Sequence, residues 1–188
     1  VSEEEKVKLA EATVAELPKL VEDAATGMWT TFKVDDQGIY LEGRCVKSMF
    51  KESSNVLRDM LTKHENKDKE KATSRSRFTA LKAKVAERLY VEQNKLYFVR
   101  EGKNLMKPDG QEEKPIHVDT AMGPRTALKR FDFVSAPAEL SFTVRYLNDS
   151  VVDEELIKVL LEHSSWNGLG ADRSQGSGMF DVKSIEPV

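Results

Sequence analysis

The 188-residue chain has one cysteine, Cys45, and only three histidines. A single thiol excludes an intramolecular disulfide, and with so few histidines no ligand cluster for a structural zinc remains. We therefore expect no metal and no cofactor. Aromatic residues make up 7% of the chain and charged residues 32%. No apolar run approaches the ~20 residues that cross a bilayer, so no membrane span is expected. A dominant charge of one sign is missing too: at a net charge of −3 the chain is not coated in positive charge. Its opening, "VSEEEKVKLAEATVAEL", is acidic and amphipathic, the reverse of a secretory leader, and points to a cytoplasmic protein.

What charge there is lies unevenly. Lys63 to Arg88 holds nine Lys/Arg against four Asp/Glu, so the remainder of the chain is distinctly acidic. Residues 3–17 carry Val7, Leu9, Ala10, Val14 and Leu17 at helical intervals before Pro18, which predicts a helical extension over 1–26. "MWTTFKV", "DDQG" and "IYLE" (28–42) predict a hairpin. After Gly43, Val46, Met49, Phe50, Leu57, Met60 and Leu61 share one helical face. Arg44, Lys47, Lys51 and Arg58 form a basic stripe on another side, with Glu52 and Asp59 off it. Like charges at this spacing repel one another, so the stripe suits an anionic partner as well as a solvated face.

Beyond that helix the chain reads as a long charged loop over 63–77, then a short helical segment with Phe78, Leu81, Val85 and Leu89. "KLYFV" (95–99) predicts a strand, and "KPDGQEEKP" (107–115) a loop with Pro–Asp–Gly turn chemistry. "LSFTVRYL" (140–147) alternates like a half-buried strand. A helix follows, with Ser150 and Asp153 as a capping box and His163 and Gly168 at its end. "MFDVKSI" (179–185) predicts a last strand. Together these elements give a single α+β domain over 1–188, a ferredoxin-like or RRM-like antiparallel sheet with helices on one face.

The remaining feature is "GLGADRSQGSGMFDV" (168–182), which holds four of the chain's ten glycines. It is not a nucleotide P-loop, because a helix precedes the glycines and a strand is expected after them, and Gly-Lys-Ser/Thr is missing. Gly168, Gly170, Gly176 and Gly178 permit positive φ and close backbone approach, and main-chain N–H groups in such turns can hold anions. Arg173 adds a planar fork suited to phosphate oxygens, with Ser174 beside it. The same glycines also suit a loop that packs against its own backbone.

In this loop and in one helix start the chain resembles the RAMP superfamily, the RRM-like proteins of CRISPR effector complexes. The family pattern, roughly G-x-G-x-x-R-S-x-G-x-G-x-x-x-V, matches residues 168–182 closely. A second signature, approximately I-P-G-S-S-x-K-G-x-x-R, is similar to "YLEGRCVKSMFK" (40–51). There Gly43 and Lys47 match, Lys51 stands for Arg, Arg44 and Cys45 replace a serine pair, and Ser48 replaces a glycine. A "GPRTAL" segment (123–128) also resembles uncharacterised phage-encoded RAMP-like proteins. The resemblance spans 38–185 and is sharp only in the two motifs. It implies a ferredoxin-like fold that contacts the RNA backbone, with homo-oligomer or effector-type assembly, and cleavage of RNA by some members.

The residues themselves supply few catalysts. His163 beside the glycine loop, and His117 two positions from Asp119, are the candidates for acid–base cleavage of RNA. Neither stands in a recognisable hydrolase constellation. The expectation is a binder of RNA or single-stranded DNA, with phosphate contacts from Arg44, Lys47, Lys51, Gly168, Gly170, Arg173, Ser174, Gly176 and Gly178. Lys82, Lys84, Arg125, Lys129 and Arg130 are secondary candidates. The alternatives are a structural or interaction protein of phage origin and a metal-independent endoribonuclease.

Overall fold

Short β-branched and aromatic runs give short strands here, and apolar residues at helical spacing give helices. The computed structural model describes residues 29–67, 76–120 and 123–187. Within them the chain is mixed α+β with small, mainly antiparallel sheets and three α-helices. The strands are β1 (Trp29–Thr30), β2 (Lys33–Asp35), β3 (Gly38–Glu42), β4 (Leu89–Val91), β5 (Lys95–Tyr97), β6 (Val99–Arg100), β7 (Lys103–Asn104), β8 (Gly110–Thr120), β9 (Gly123–Phe133) and β10 (Val144–Tyr146). The helices are α1 (Gly43–Lys67), α2 (Leu81–Arg88) and α3 (Glu154–Asn167), and a 3-10 turn lies at Arg173–Gln175. The helix expected within 1–26 falls outside the described residues. The chain divides into two compact units, one of Lys33–Met106 with Ala138–Val188, the other of Val1–Phe32 with Lys107–Pro137.

In the larger unit, residues 33–42 of the hairpin expected over 28–42 form it: β2 and β3 pair antiparallel, and Asp35 Oδ1 accepts the Gln37 N–H at 2.9 Å across the turn. Trp29–Thr30 is instead a separate strand beside β9. β5 adds to β3, with Tyr40 opposite Tyr97 and Glu42 opposite Lys95. β4 pairs with β10, and β6 with β7, both antiparallel. α1 packs against α2, α3 and β4. Its Val46, Met49 and Phe50 are fully buried, each contributing about 1.5–3 kcal/mol. Phe78, Leu81, Val85 and Leu89 enter the same core, as do Leu156, Leu160 and Leu161 of α3. Met60 shares the α1 face by period yet is 53% exposed; periodicity gives a face, not the point where the covering elements stop.

Four expectations for the larger unit are corrected. The charged loop predicted from 63 onward is helical as far as Lys67. Lys63, Glu65 and Lys67 are good helix formers whatever their polarity, and Glu65 Oε2 accepts the Ser76 hydroxyl at 2.6 Å and the Arg77 N–H at 3.2 Å. The cap of α3 is Asp153, which accepts the Leu156 N–H at 2.8 Å; the Asp149 carboxylate instead bonds the N–H groups of Val151 and Val152. Of 140–147 only Val144–Tyr146 pairs as strand. Residues 179–187 form no strand among the described residues; Phe180 donates its N–H to the Ser165 carbonyl at 3.1 Å instead.

In the smaller unit the segment read as a loop is the start of an 11-residue strand. β8 and β9 pair from Gly110↔Phe133 to Thr120↔Gly123, and β1 runs parallel along β9. Pro115 inside β8 is tolerated because β8 is the edge of the order β1-β9-β8, where a missing N–H costs no ladder bond. Arg130 pairs with Glu113 across the strands, and the Lys114 ammonium lies 4.9 Å from the Phe131 ring centre.

Candidate functional site

Gly43 opens α1 against a carbonyl: a Cβ there would meet the Gln93 oxygen at 2.0 Å, so no larger residue starts the helix at this place. The first turn of α1 contains no acidic residue, and the N-terminal end of a helix favours negative charge. From it Arg44, Cys45, Lys47, Ser48 and Lys51 line an open surface hollow of about 430 Å³. The cations there are not alike. Arg44 Nε donates to Glu42 at 2.6 Å. The Glu42 carboxyl is held below the usual carboxylate range first by its hydrogen bond from Lys33, then by that from Arg44. The Lys47 ammonium lies 4.9 Å from the Tyr90 ring centre. Lys47 and Lys51 have no carboxylate partner among the described residues.

The glycine-rich segment is a loop closed at its feet. Gly168 N–H caps α3 on the Ser164 carbonyl at 2.8 Å, and Leu169 N–H bonds the Gly178 carbonyl at 2.8 Å. Gly168 (φ +84) and Gly178 (φ +77) stand where a Cβ would strike backbone, at 2.5 Å from Ser177 O and 2.1 Å from Leu169 O. These two glycines serve the loop's own closure. Gly170 and Gly176, also at positive φ, face open space. Inside the loop Gln175 N–H bonds Asp172 O, and Gly176 N–H bonds Arg173 O, both at 2.9 Å. The N–H groups of Gly170, Ala171 and Ser174 meet no acceptor among the described residues.

Arg173 does not present its fork outward. Both terminal nitrogens bond Glu52 of α1, Nη1 to Oε2 and Nη2 to Oε1, the latter at 3.0 Å. This hydrogen bond lowers the Glu52 carboxyl and raises the Arg173 guanidinium from their ordinary values, against the opposing effect of partial burial. Cys45 also lies within electrostatic reach of Arg173, and Lys82 of Glu52. The pair thus pins the loop onto the helix that carries Arg44, Lys47 and Lys51, joining segments 121 residues apart in sequence. By helical period Glu52 lies off the basic stripe of Arg44, Lys47, Lys51 and Arg58. No local pattern marks a partner so distant.

The remaining candidates scatter. His163 Nδ1 lies 3.0 Å from Ser53 Oγ, which is 2.8 Å from Ser164 Oγ, which donates to the Leu160 carbonyl at 2.7 Å. Ser53 and Ser164 are fully buried between α1 and α3, so this histidine joins a helix-to-helix hydroxyl chain. His117 and Asp119 fall in β8 opposite Thr126 and Pro124; their side chains, like that of Arg125, lie outside the described ones. Arg58 pairs with Asp59, and Lys84 donates to the Arg77 carbonyl. Among the described residues no group of His, Cys, Asp and Glu could hold a metal ion, and no helix is long and apolar enough to cross a membrane. No family model, no curated protein and no solved structure matches this chain.

Proposed function

We propose that this protein binds single-stranded nucleic acid, RNA or DNA, through its phosphate backbone. In this reading it is a RAMP-like protein whose larger unit is a variant of the ferredoxin-like plan. The observation that carries the reading is the joint just described: the two segments with motif character are tied together by Arg173 and Glu52, one residue along α1 from Lys51. Lys47 and Lys51, which have no carboxylate to neutralise them among the described residues, supply the phosphate contacts, with Arg44 shared between Glu42 and the ligand. Gly170, Ala171 and Ser174 add main-chain donors. Arg173 is a positioning residue, because Glu52 already occupies its fork. The last carbonyls of α3 put partial negative charge at the foot of the loop, so the phosphates belong on the α1 side.

A titration with single-stranded RNA and DNA at two salt concentrations tests this. We expect affinity to fall with salt by ~0.7 in log–log slope for each phosphate neutralised. Lys47→Ala and Lys51→Ala should each remove about one such increment. Arg173→Ala should weaken binding without removing one, since its loss leaves Glu52 unpaired beside the site. Salt-independent or undetectable binding of both polymers would overturn the proposal.

A further inference from the structure

We infer that the hollow between Trp166 and Met179, at the root of the glycine-rich loop, takes one unstacked nucleobase of a bound single strand. The inference rests on the nucleic-acid reading above and adds to it a site for the base. Trp166 is 77% exposed and Met179 58% exposed, a large indole and a thioether side by side in water. Their pairing is fixed by the main chain. Leu169 N–H bonds Gly178 O at 2.8 Å, and Phe180 N–H bonds Ser165 O at 3.1 Å. These two bonds hold the segment after the loop against the last turn of α3, and Trp166 and Met179 lie between them. Ser165, Trp166, Met179, Phe180 and Asp181 line a hollow of about 220 Å³, below the range of pockets for drug-sized ligands and suited to a single ring system.

The chemistry of the lining selects a base over the other parts of a nucleotide. An indole face stacks on any base, and a polarisable sulfur packs well against an aromatic ring. The Asp181 carboxylate has no partner among the described residues. It repels a phosphate and accepts the N–H groups of an amino-bearing base edge. The carbonyl end of α3 repels a phosphate in the same direction. Phosphate on the α1 side of the loop and a base at its root therefore divide one nucleotide strand between two electrostatically different places.

Affinities of the full chain and of Trp166→Leu and Trp166→Phe for a single-stranded oligomer, and for an abasic strand of equal length, test this. The indole is exposed, so both variants should fold as the parent does by circular dichroism. Trp166→Leu should lose on the order of 5- to 100-fold in affinity with an unchanged salt slope, and Trp166→Phe should recover most of it. On the abasic strand all three proteins should bind alike. If Trp166→Leu binds the normal oligomer like the parent while Lys47→Ala weakens it, the base site is wrong and the phosphate reading stands. If the parent binds neither strand, both fall. If Trp166→Leu abolishes self-association while oligomer affinity is unchanged, the hollow belongs to a protein interface and the inference is overturned.

Discussion

Gly176 and Gly178 lie two residues apart with similar backbone angles, φ +83 and +77, yet in opposite surroundings. At Gly176 an added Cβ meets nothing within 4 Å; at Gly178 it meets the Leu169 carbonyl oxygen at 2.1 Å. Gly176→Ala should therefore cost only the left-handed backbone penalty, about 1–2 kcal/mol. Gly178→Ala adds an overpacking cost of about 1–3 kcal/mol and breaks the foot of the loop. Chemical denaturation of the two variants should separate them in that order. A second residue-scale expectation concerns Ser53, whose hydroxyl links His163 to Ser164 in a fully buried position. Ser53→Ala leaves buried polar atoms with fewer partners and should cost about 1–3 kcal/mol, read as a lowered Tm. A mutation at half-buried Lys51, which has no carboxylate partner among the described residues, should leave Tm within the noise of surface substitutions.

Elements are where sequence and structure agree and part company for identifiable reasons. The apolar faces of α1, α2 and α3 were legible because a 3.6-residue period belongs to the helix alone. Val46, Phe50, Leu81, Val85 and Leu160 are all buried as their spacing requires. Strands need partners: β8 was hidden behind Pro–Asp–Gly and a run of charges, and only its pairing with β9 makes it extended. The converse holds for 179–185, rich in strand formers but without a paired edge. In the site, the positive φ of Gly168, Gly170, Gly176 and Gly178 was readable from residue type, whereas the Arg173–Glu52 pair was not. That pair is the joint between loop and helix, and it can be tested as one. Arg173→Ala and Glu52→Ala should each loosen the loop, measured as faster amide exchange over 169–178, and the double variant should be no looser than either single one. The Glu52 carboxyl is held below its ordinary range by Arg173. Its contribution is therefore fully present above the ordinary carboxylate pKa and lost as pH falls through the lower folded value. Loop protection should hold from neutral pH down to about pH 5 and decline below it. Glu52→Gln should lack that decline.

For the whole molecule, the two units are joined by a chain that leaves the larger one and returns to it at adjacent points. Leu105 donates its N–H to the Phe98 carbonyl at 2.8 Å, and Glu139 pairs with Val99 through N–H bonds of 2.8 and 2.9 Å. Exit and re-entry thus flank neighbouring residues of the same segment, the geometry of an insertion. The larger unit holds every residue of the main buried cluster, and the candidate site, from Glu42 to Lys51 and from Trp166 to Asp181, lies wholly within it. A chain of residues 33–106 joined by a short flexible linker to 138–188 should therefore fold cooperatively, with the helical signal of α1, α2 and α3 intact by circular dichroism. Closing so short a gap costs little loop entropy. The same shortened chain should keep the salt slope contributed by Lys47 and Lys51, since the phosphate face stays in place. Cooperative folding with that slope lost would move the nucleic-acid contacts to the β8–β9 unit. Failure to fold would mean that the core in the larger unit needs residues 1–32 or 107–137 for its completion.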